Sequence, residues 1–584
     1  MSNGYIGRKY AKNVEKWSQP IYKVRVTKDV RVKMRDGVSI LVDIYRPDVD
    51  GDARFPALLA MSPFGKDVQE MQRWLPPQKW YESPMWDGNM EVGDIDYLVS
   101  RGYLLVVADP RGIGHSEGEY VGLLGSMGED GYDTVEWIAA QSWCNGDVGM
   151  TGICIFSAAQ ELVAALQPPH LKVIAPFEVW GNVYRSHYHG GILFAMQHSV
   201  YKGKHENDDG WTLGKVASTM MKTRSKEEID ALVEQALKNP DIKYNTKFYA
   251  ILKYPEIDPI FFDFLLNPLD GPFWDEMSPH TKWDKINVPI YASSPWCIEI
   301  FIHNIFDLYK EAKSPIKLFL WPPGHVERPH HEFHDELVRW FDYHLKGIDT
   351  GIMDEPPIKM FVVGANRWRY EHEWPLARTQ WTEMYLQPYG RILPKPLVSD
   401  FEPDAFTQAP PSVTAKVETV EYSTPPFAKD TEITGPVALY LHAAIDSDDT
   451  NFMVDLLDVD PAGNAMPLSR GHLKASHRAI DDKISKPYRP YHPHTEAVPV
   501  KPGEIYEYAI ELMPLSVVMR AGHSLKLVIR NQDDLMDRLG LWGLYHLPHA
   551  KTVTHKIYRD KNHQSHLLIP VIPDTDESLW IDAE

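Results

Sequence analysis

Cysteine is nearly absent from this 584-residue chain, which carries only Cys144, Cys154 and Cys297. So sparse and odd a set, without paired Cys-x-x-Cys spacing, argues against a disulfide framework or a thiolate zinc site and suits a reducing cytoplasm. Long apolar runs are missing too: nothing is long enough to span a bilayer, and Met1 to Tyr10 lacks the apolar core of a secretory signal. Positive charge is in deficit, with 60 Lys and Arg against 81 Asp and Glu and a net charge of -21. That balance argues against nucleic-acid and membrane partners. The sequence holds no internal repeat, no low-complexity tract and no His-Glu-x-x-His helix. His330, His331 and His334 form a cluster that reads as a solvated, locally hydrogen-bonded patch before it reads as a metal site. The expectation is a cytoplasmic protein acting on a small-molecule substrate, with no cofactor and no metal, and with a homo-oligomer left open.

A chain of this length exceeds what one hydrophobic core organises, so two or three domains are expected. Val24 to Met34 and Val38 to Tyr45 flank Asp36-Gly37, a hairpin turn signal. Runs apolar on successive residues then alternate with helical patterns: Ala57 to Met61, Tyr103 to Ala108, Val148 to Gly152, Val173 to Pro176, Pro289 to Ser293 and Lys317 to Trp321. Strands of that kind are covered on both faces, as in a mostly parallel sheet between helices. The fold class is α/β. From 181 to 288 the alternation stops. There Ser225 to Glu228 is a capping box that opens an amphipathic helix halted by Asn239-Pro240, and the block reads as a helical cap. After about 350 short alternating strands take over, including Ile358 to Val363, Val437 to Ala444, Phe452 to Val459, Ile505 to Leu512 and Ser524 to Ile529. They mark a β-sandwich. The expected domains are 1–180 and 289–350 for the two parts of the α/β core, 181–288 for the cap and 351–584 for the sandwich.

Within the core, Gly146 to Ala159 reads as strand, tight turn, helix, with Cys154 at the turn. Such an elbow lifts one side chain out of the sheet and aims the next backbone N–H, that of Ile155, at a developing oxyanion. A thiol there is a candidate nucleophile; equally, a free cysteine is often just a small buried apolar residue.

Several stretches give the chain a specific resemblance. They are Ser62-Pro-Phe-Gly-Lys66, Asp109-Pro-Arg-Gly-Ile-Gly-His-Ser-Glu-Gly118, Asp133-Thr-Val-Glu-Trp137, the elbow, Gly324-His325, Arg339-Trp-Phe-Asp342, Gly364-Ala-Asn-Arg-Trp368, Gly435-Pro436 and Asp458 to Gly463. In their order they resemble the family of cocaine esterase, X-prolyl dipeptidyl peptidase and α-amino-acid ester hydrolases over essentially the whole length. The resemblance implies an α/β-hydrolase core, an inserted helical cap and a C-terminal jelly-roll-like β-sandwich around one acyl-transfer site. It also implies an elbow serine, an acid after a Trp that follows a core strand, a histidine in a Gly-Pro-Trp-x-His-like turn, and a tyrosine hydroxyl as second oxyanion donor.

The histidine carries over as His325, in Trp321-Pro-Pro-Gly-His325, with His330, His331 and His334 as fallbacks and a surface histidine as the plain alternative. The other positions depart. Cys154 replaces the serine. Ile298 falls where the acid is expected in Ser294-Pro-Trp296-Cys-Ile-Glu299, so Glu299 becomes the candidate orienting acid, against a solvated loop charge, with Asp307 behind it. Phe64 stands where the family has tyrosine, so a backbone N–H at Phe64 would have to join Ile155 in the oxyanion hole. Losing one such donor costs about 3 kcal/mol, a hundredfold or more in rate. Trp74, Trp80, Tyr81 and Trp86, with Phe64 and Trp296, are pocket-wall candidates or else packing aromatics. As a pocket wall they imply a bulky, largely apolar substrate. No acidic motif anchors a substrate ammonium, which favours ester-like chemistry over X-prolyl peptidase activity. The leading expectation is a cysteine hydrolase that cleaves an ester, lactone, amide or activated carbonyl through a thioester, using Cys154, His325 and Glu299. A Cys-His acyltransferase or cyclase, and a non-catalytic binding protein on a degenerate scaffold, stay open.

Overall fold

The computed structural model describes residues 8–74, 90–194, 214–296, 298–324, 332–534, 546–573 and 577–581. Its first sheet begins with the antiparallel hairpin β1 (Val24–Lys33) and β2 (Ser39–Pro47), paired through Lys33 and Ser39. Gly37 turns it at φ 94°, a left-handed geometry that suits glycine. Then follow β3 (Phe55–Met61), β4 (Leu104–Asp109), β5 (Cys144–Met150), β6 (Leu171–Ile174), β7 (Ile290–Pro295) and β8 (Ile316–Trp321). β4 is buried along its entire length, as are all of β3 after Phe55 and all of β8 after Ile316. That is why their pattern is continuously apolar rather than alternating.

The strand order is β1-β2-β4-β3-β5-β6-β7-β8, and it continues through β9 (Ile358–Val362) and β10 (Arg367–Glu371) to β22 (Trp580–Ile581). From β4 to β9 neighbouring strands are parallel. Helix α1 (Met127–Ala139) packs on α2 (Ile155–Ala165), and α8 (His334–Lys346) lies against β5 and β6. Between β6 and β7 the cap includes α3 (Val183–His187), α4 (Lys226–Ala236), α5 (Thr246–Lys253) and α6 (Pro259–Leu266). α4 opens on the expected capping box: Glu228 N–H donates to Ser225 Oγ at 3.3 Å, and Ser225 N–H to the Glu228 carboxylate at 2.8 Å. Asn239-Pro240 ends that helix and starts another turn, in which Asn239 Oδ1 accepts from Asp241 N–H at 2.9 Å. Cap and sheet share one hydrophobic core.

The second sheet has its own core. Its strands are β11 (Gln380–Gln387), β12 (Arg391–Leu393), β13 (Asp404–Gln408), β14 (Val420–Ser423), β15 (Thr431–Ile445) and β16 (Asn451–Val459). They continue with β17 (Ala465–Lys474), β18 (Tyr506–Met519), β19 (Ser524–Arg530), β20 (Val553–Tyr558) and β21 (His566–Ile572). The order is β13-β20-β15-β18-β17-β16-β19-β14-β12-β11-β21, and β21 also pairs with β15, which closes the sheet on itself.

One strand read as the start of the sandwich sits in the first sheet instead. β9 pairs in parallel with β8, Leu318 opposite Ile358, and β10 and β22 extend the same sheet. Ile358–Val362 therefore belongs to the α/β sheet, while Val363 bridges to Val517 on β18 of the sandwich. A buried charge cluster explains why its pattern misled: Lys359 on β9 meets Glu336 at 2.9 Å and Glu355 at 3.0 Å, while Arg339 meets Glu355 at 2.9 Å. A lysine inside a fully covered strand mimics the alternation of a half-exposed one. α7 (Glu299–Glu311) follows β7 and packs against β18 of the sandwich as well as β7 and β8.

Candidate active site at the strand-to-helix turn

β5 ends at Met150, and α2 starts at Ile155, so the chain reverses in four residues. Cys154 sits at the turn with φ 59° and ψ -118°, a conformation that side-chain-bearing residues rarely adopt. Gly152, at φ 120°, makes the turn feasible, because a Cβ there would lie 2.4 Å from that of Phe156. The turn is held by neighbours. Cys154 N–H donates to the Phe177 carbonyl at 2.9 Å and Ile153 N–H to the Glu91 carbonyl at 3.0 Å. Gln160 clamps both sides, donating to the Gly152 carbonyl at 3.1 Å and accepting from Ala175 N–H at 2.9 Å.

The Cys154 thiol is buried at 6 % residue exposure, and its pKa is pushed well above the ordinary thiol value. Burial is the largest cause, and the carboxylates of Glu91 and Glu178 add to it. The Trp180 side chain and the Ile155 backbone N–H act the other way. Ile155 is the first residue of α2, where backbone N–H groups lack intrahelical acceptors and the helix dipole favours negative charge.

The second expected donor is engaged: Phe64 N–H donates to Ser62 Oγ at 3.2 Å, and the Phe64 ring is buried. The Asp109 motif builds this loop. Asp109 Oδ1 accepts Lys66 N–H at 2.7 Å, and burial pushes its carboxyl up to about 7. Gly114 lets the chain pass, since a Cβ there would meet Asp109 Oδ2 at 2.4 Å. Behind the elbow, Glu161 accepts from Ser157 Oγ at 3.2 Å, Trp180 N–H at 3.3 Å and Trp283 Nε1 at 2.6 Å. Burial pushes its carboxyl up to about 7.

The remaining candidates separate. Glu299, first residue of α7, turns its carboxylate to His472 Nδ1 at 2.7 Å and His189 Nδ1 at 3.3 Å, in a cluster that also holds His546. Its described partners are thus histidines of the cap and sandwich. Asp307 is bound by Arg489 at 2.5 and 2.8 Å. Ile298 is buried at the start of α7. Trp296 is packed rather than pocket-lining: it is 1 % exposed, lies against the tilted rings of Phe306 and Trp374, and donates Nε1–H to the Phe361 carbonyl at 2.8 Å. Trp74 is 74 % exposed. His334 stacks on Tyr97, with ring centroids 3.5 Å apart. His325, His330, His331, Cys297, Trp80, Tyr81 and Trp86 lie outside the described residues.

Sequence reasoning missed Glu91, Glu178 and Trp180 around the thiol, and His189, His472 and His546 around Glu299. The one available signal was an acid inside an apolar run, Phe177-Glu178-Val179-Trp180. Glu178 also has positive φ, at 61°.

A parallel sheet with a strained residue at a strand-to-helix elbow, followed by an inserted helical cap, defines an α/β-hydrolase. The chain belongs to the X-Pro dipeptidyl-peptidase (S15) family, whose model matches residues 36–327, with the family's C-terminal non-catalytic domain matching 350–568. It is a hydrolase by that membership. Cocaine esterase of Rhodococcus sp. is 25 % identical over 94 % of this chain and 98 % of its own. A CocE/NonD family hydrolase from Staphylococcus aureus superposes with a TM-score of 0.71 at 23 % identity, covering 94 % of each chain. An aminopeptidase from a Thaumarchaeota archaeon superposes at 0.73 with 18 % identity, over 95 % of this chain and 97 % of its own. Among the described residues, no helix is long and apolar enough to cross a membrane.

Proposed function

We propose that this protein is a cysteine-nucleophile hydrolase that cleaves an ester, or a related activated carbonyl, of a bulky and largely apolar small molecule. The observation that carries the reading is Cys154 at the elbow, φ 59°, with Ile155 opening the helix that follows. In the first step the sulfur bonds to the carbonyl carbon, the carbonyl π electrons move to oxygen beside Ile155, and the thiol proton leaves to a base. His325, in the family's histidine position, is that base. Collapse of the tetrahedral adduct expels the alcohol, which takes the proton, and leaves a thioester. Water then adds, and the acid and the free thiol are released.

Burial, with Glu91 and Glu178 near the sulfur, raises the thiol's pKa in the resting site, which places the burden of deprotonation on the base. The esterase name of the Rhodococcus relative and the aromatic-rich segment 74–90 support an ester of apolar character. The test is a panel of chromogenic esters and X-Pro amides run with wild type and Cys154→Ala. Ester turnover lost in the variant supports the reading. Equal turnover in both proteins overturns it.

A further inference from the structure

Among the described residues, His189, Glu299, His472 and His546 each offer one metal-ligating donor atom, and all four donors lie within 4.8 Å of one another. They come from four distant parts of the chain. His189 follows α3, Glu299 opens α7, His472 is on β17, and His546 lies beyond β19. The described contacts identify the donors facing inward: His189 Nδ1 lies 2.8 Å from His546 Nε2 and 3.3 Å from a Glu299 oxygen, and His472 Nδ1 lies 2.7 Å from the other.

We propose that these four residues bind one divalent transition-metal ion, Zn2+ by their donor set, where the cap and the sandwich meet the α/β core. Three imidazole nitrogens and a carboxylate match zinc's borderline preference and its four-coordinate structural sites. A tetrahedral ion with ligand bonds of about 2.0–2.1 Å holds its donors about 3.3 Å apart, so the observed spacings need only small side-chain adjustments. An outer shell is built. Asp533 Oδ2 lies 2.9 Å from His546 Nδ1 and also accepts the His546 backbone N–H at 2.6 Å. This carboxylate–histidine pair fixes the tautomer that leaves Nε2 free to ligate.

Charge points the same way. His189, His472, His546 and Asp533 have side chains 7 % exposed or less, and that of Glu299 is 12 % exposed. Buried carboxylates packed among imidazoles are a setting in which a dication compensates the desolvation of the acids. His189, Glu299 and His472 also line a cavity of about 280 Å³, which gives the ion a path in. Four protein ligands make the site a staple between domains.

The test uses the untagged full chain carrying Cys154→Ala, so that the elbow thiol cannot bind the metal. After Zn2+ loading and desalting, elemental analysis is expected to give about one zinc per chain, and chelation is expected to lower the thermal midpoint by about 5 °C or more. Co2+ loading is expected to give the visible absorption of a tetrahedral N/O site. Adding His472→Ala or His546→Ala is expected to cut the bound metal at least fivefold. Trace zinc together with a featureless Co2+ spectrum in the Cys154→Ala chain overturns the proposal, as does full metal retention in the histidine variants. Should those variants fail to fold, the Co2+ spectrum of the intact cluster decides.

Discussion

The Cys154 backbone N–H donates to the Phe177 carbonyl oxygen at 2.9 Å. Phe177 in turn bridges Ile153 on one side and Ser293, on β7, on the other. The elbow is therefore held by the next two strands of the sheet, which lets a residue with φ 59° persist at its apex. Strain of that kind is worth about 1–3 kcal/mol and is sustained only by surrounding structure.

That strain has a direct consequence for variants. Cys154→Gly removes the Cβ that makes the conformation costly, whereas Cys154→Ala keeps it. The Gly variant is expected to unfold at a higher urea concentration than the Ala variant, by about 1 kcal/mol in stability. An Ala variant at least as stable as the Gly variant would mean that the apex is relaxed.

The buried thiol sets the pH dependence of labelling. The reactive species is the thiolate, and burial with Glu91 and Glu178 raises the Cys154 pKa well above its ordinary 9.0. The rate of Cys154 alkylation by iodoacetamide should still be rising with pH at 9. A plateau reached below pH 8 would reveal a standing thiolate and contradict this electrostatic picture.

Glu161 predicts a stability profile. Its carboxyl is raised from 4.5 to about 7 by burial, so between those values the folded chain holds a proton that the unfolded chain has released. Its contribution is full below pH 4.5 and is lost as pH rises through 7. Glu161→Gln mimics the protonated form and carries no such dependence. The variant should gain on wild type by about 3 kcal/mol between pH 4.5 and 7, read from urea transitions at each pH. A pH-independent difference would show that Glu161 is ionised throughout.

Phe64 tests the oxyanion geometry. With the Phe64 N–H donating to Ser62 Oγ, Phe64→Tyr supplies a side-chain donor on nearly the same ring. The Phe64→Tyr, Cys154→Ser double variant should hydrolyse activated esters at least tenfold faster than Cys154→Ser alone. A folded double variant without any gain would show that the ring does not face the reacting carbonyl.

Glu299 separates orientation from packing. Its carboxylate oxygens face His472 and His189, so Glu299→Gln should lower the thermal midpoint while ester turnover at 25 °C stays within about threefold of wild type. A hundredfold fall in turnover with unchanged stability would restore it as the acid that orients His325.

The core sheet was legible because burial on both faces writes continuous apolar runs, and the elbow because glycine spacing and a strand-to-helix switch are local features. The capping box at Ser225 is local in the same way and matches atom for atom. What was not legible depends on distance along the chain. β9 hides in the first sheet because Lys359 is neutralised by Glu336 and Glu355, partners that periodicity cannot see. Trp296 resembles a pocket aromatic until Phe306 and Trp374 close over it. The partners of Glu299 lie 110 residues before it and 173 and 247 after it, so no spacing rule would group them with it.

The central claim is that Cys154 carries the acyl group. Intact-mass and peptide mass spectrometry after a rapid acid quench, with a slowly hydrolysed activated ester as substrate, tests it most directly. One acyl adduct is predicted, on the Cys154 peptide, formed within the first turnover, decaying at the rate of product release and absent from Cys154→Ala. Steady turnover with no adduct at Cys154, or an adduct on another residue that persists in Cys154→Ala, would contradict it.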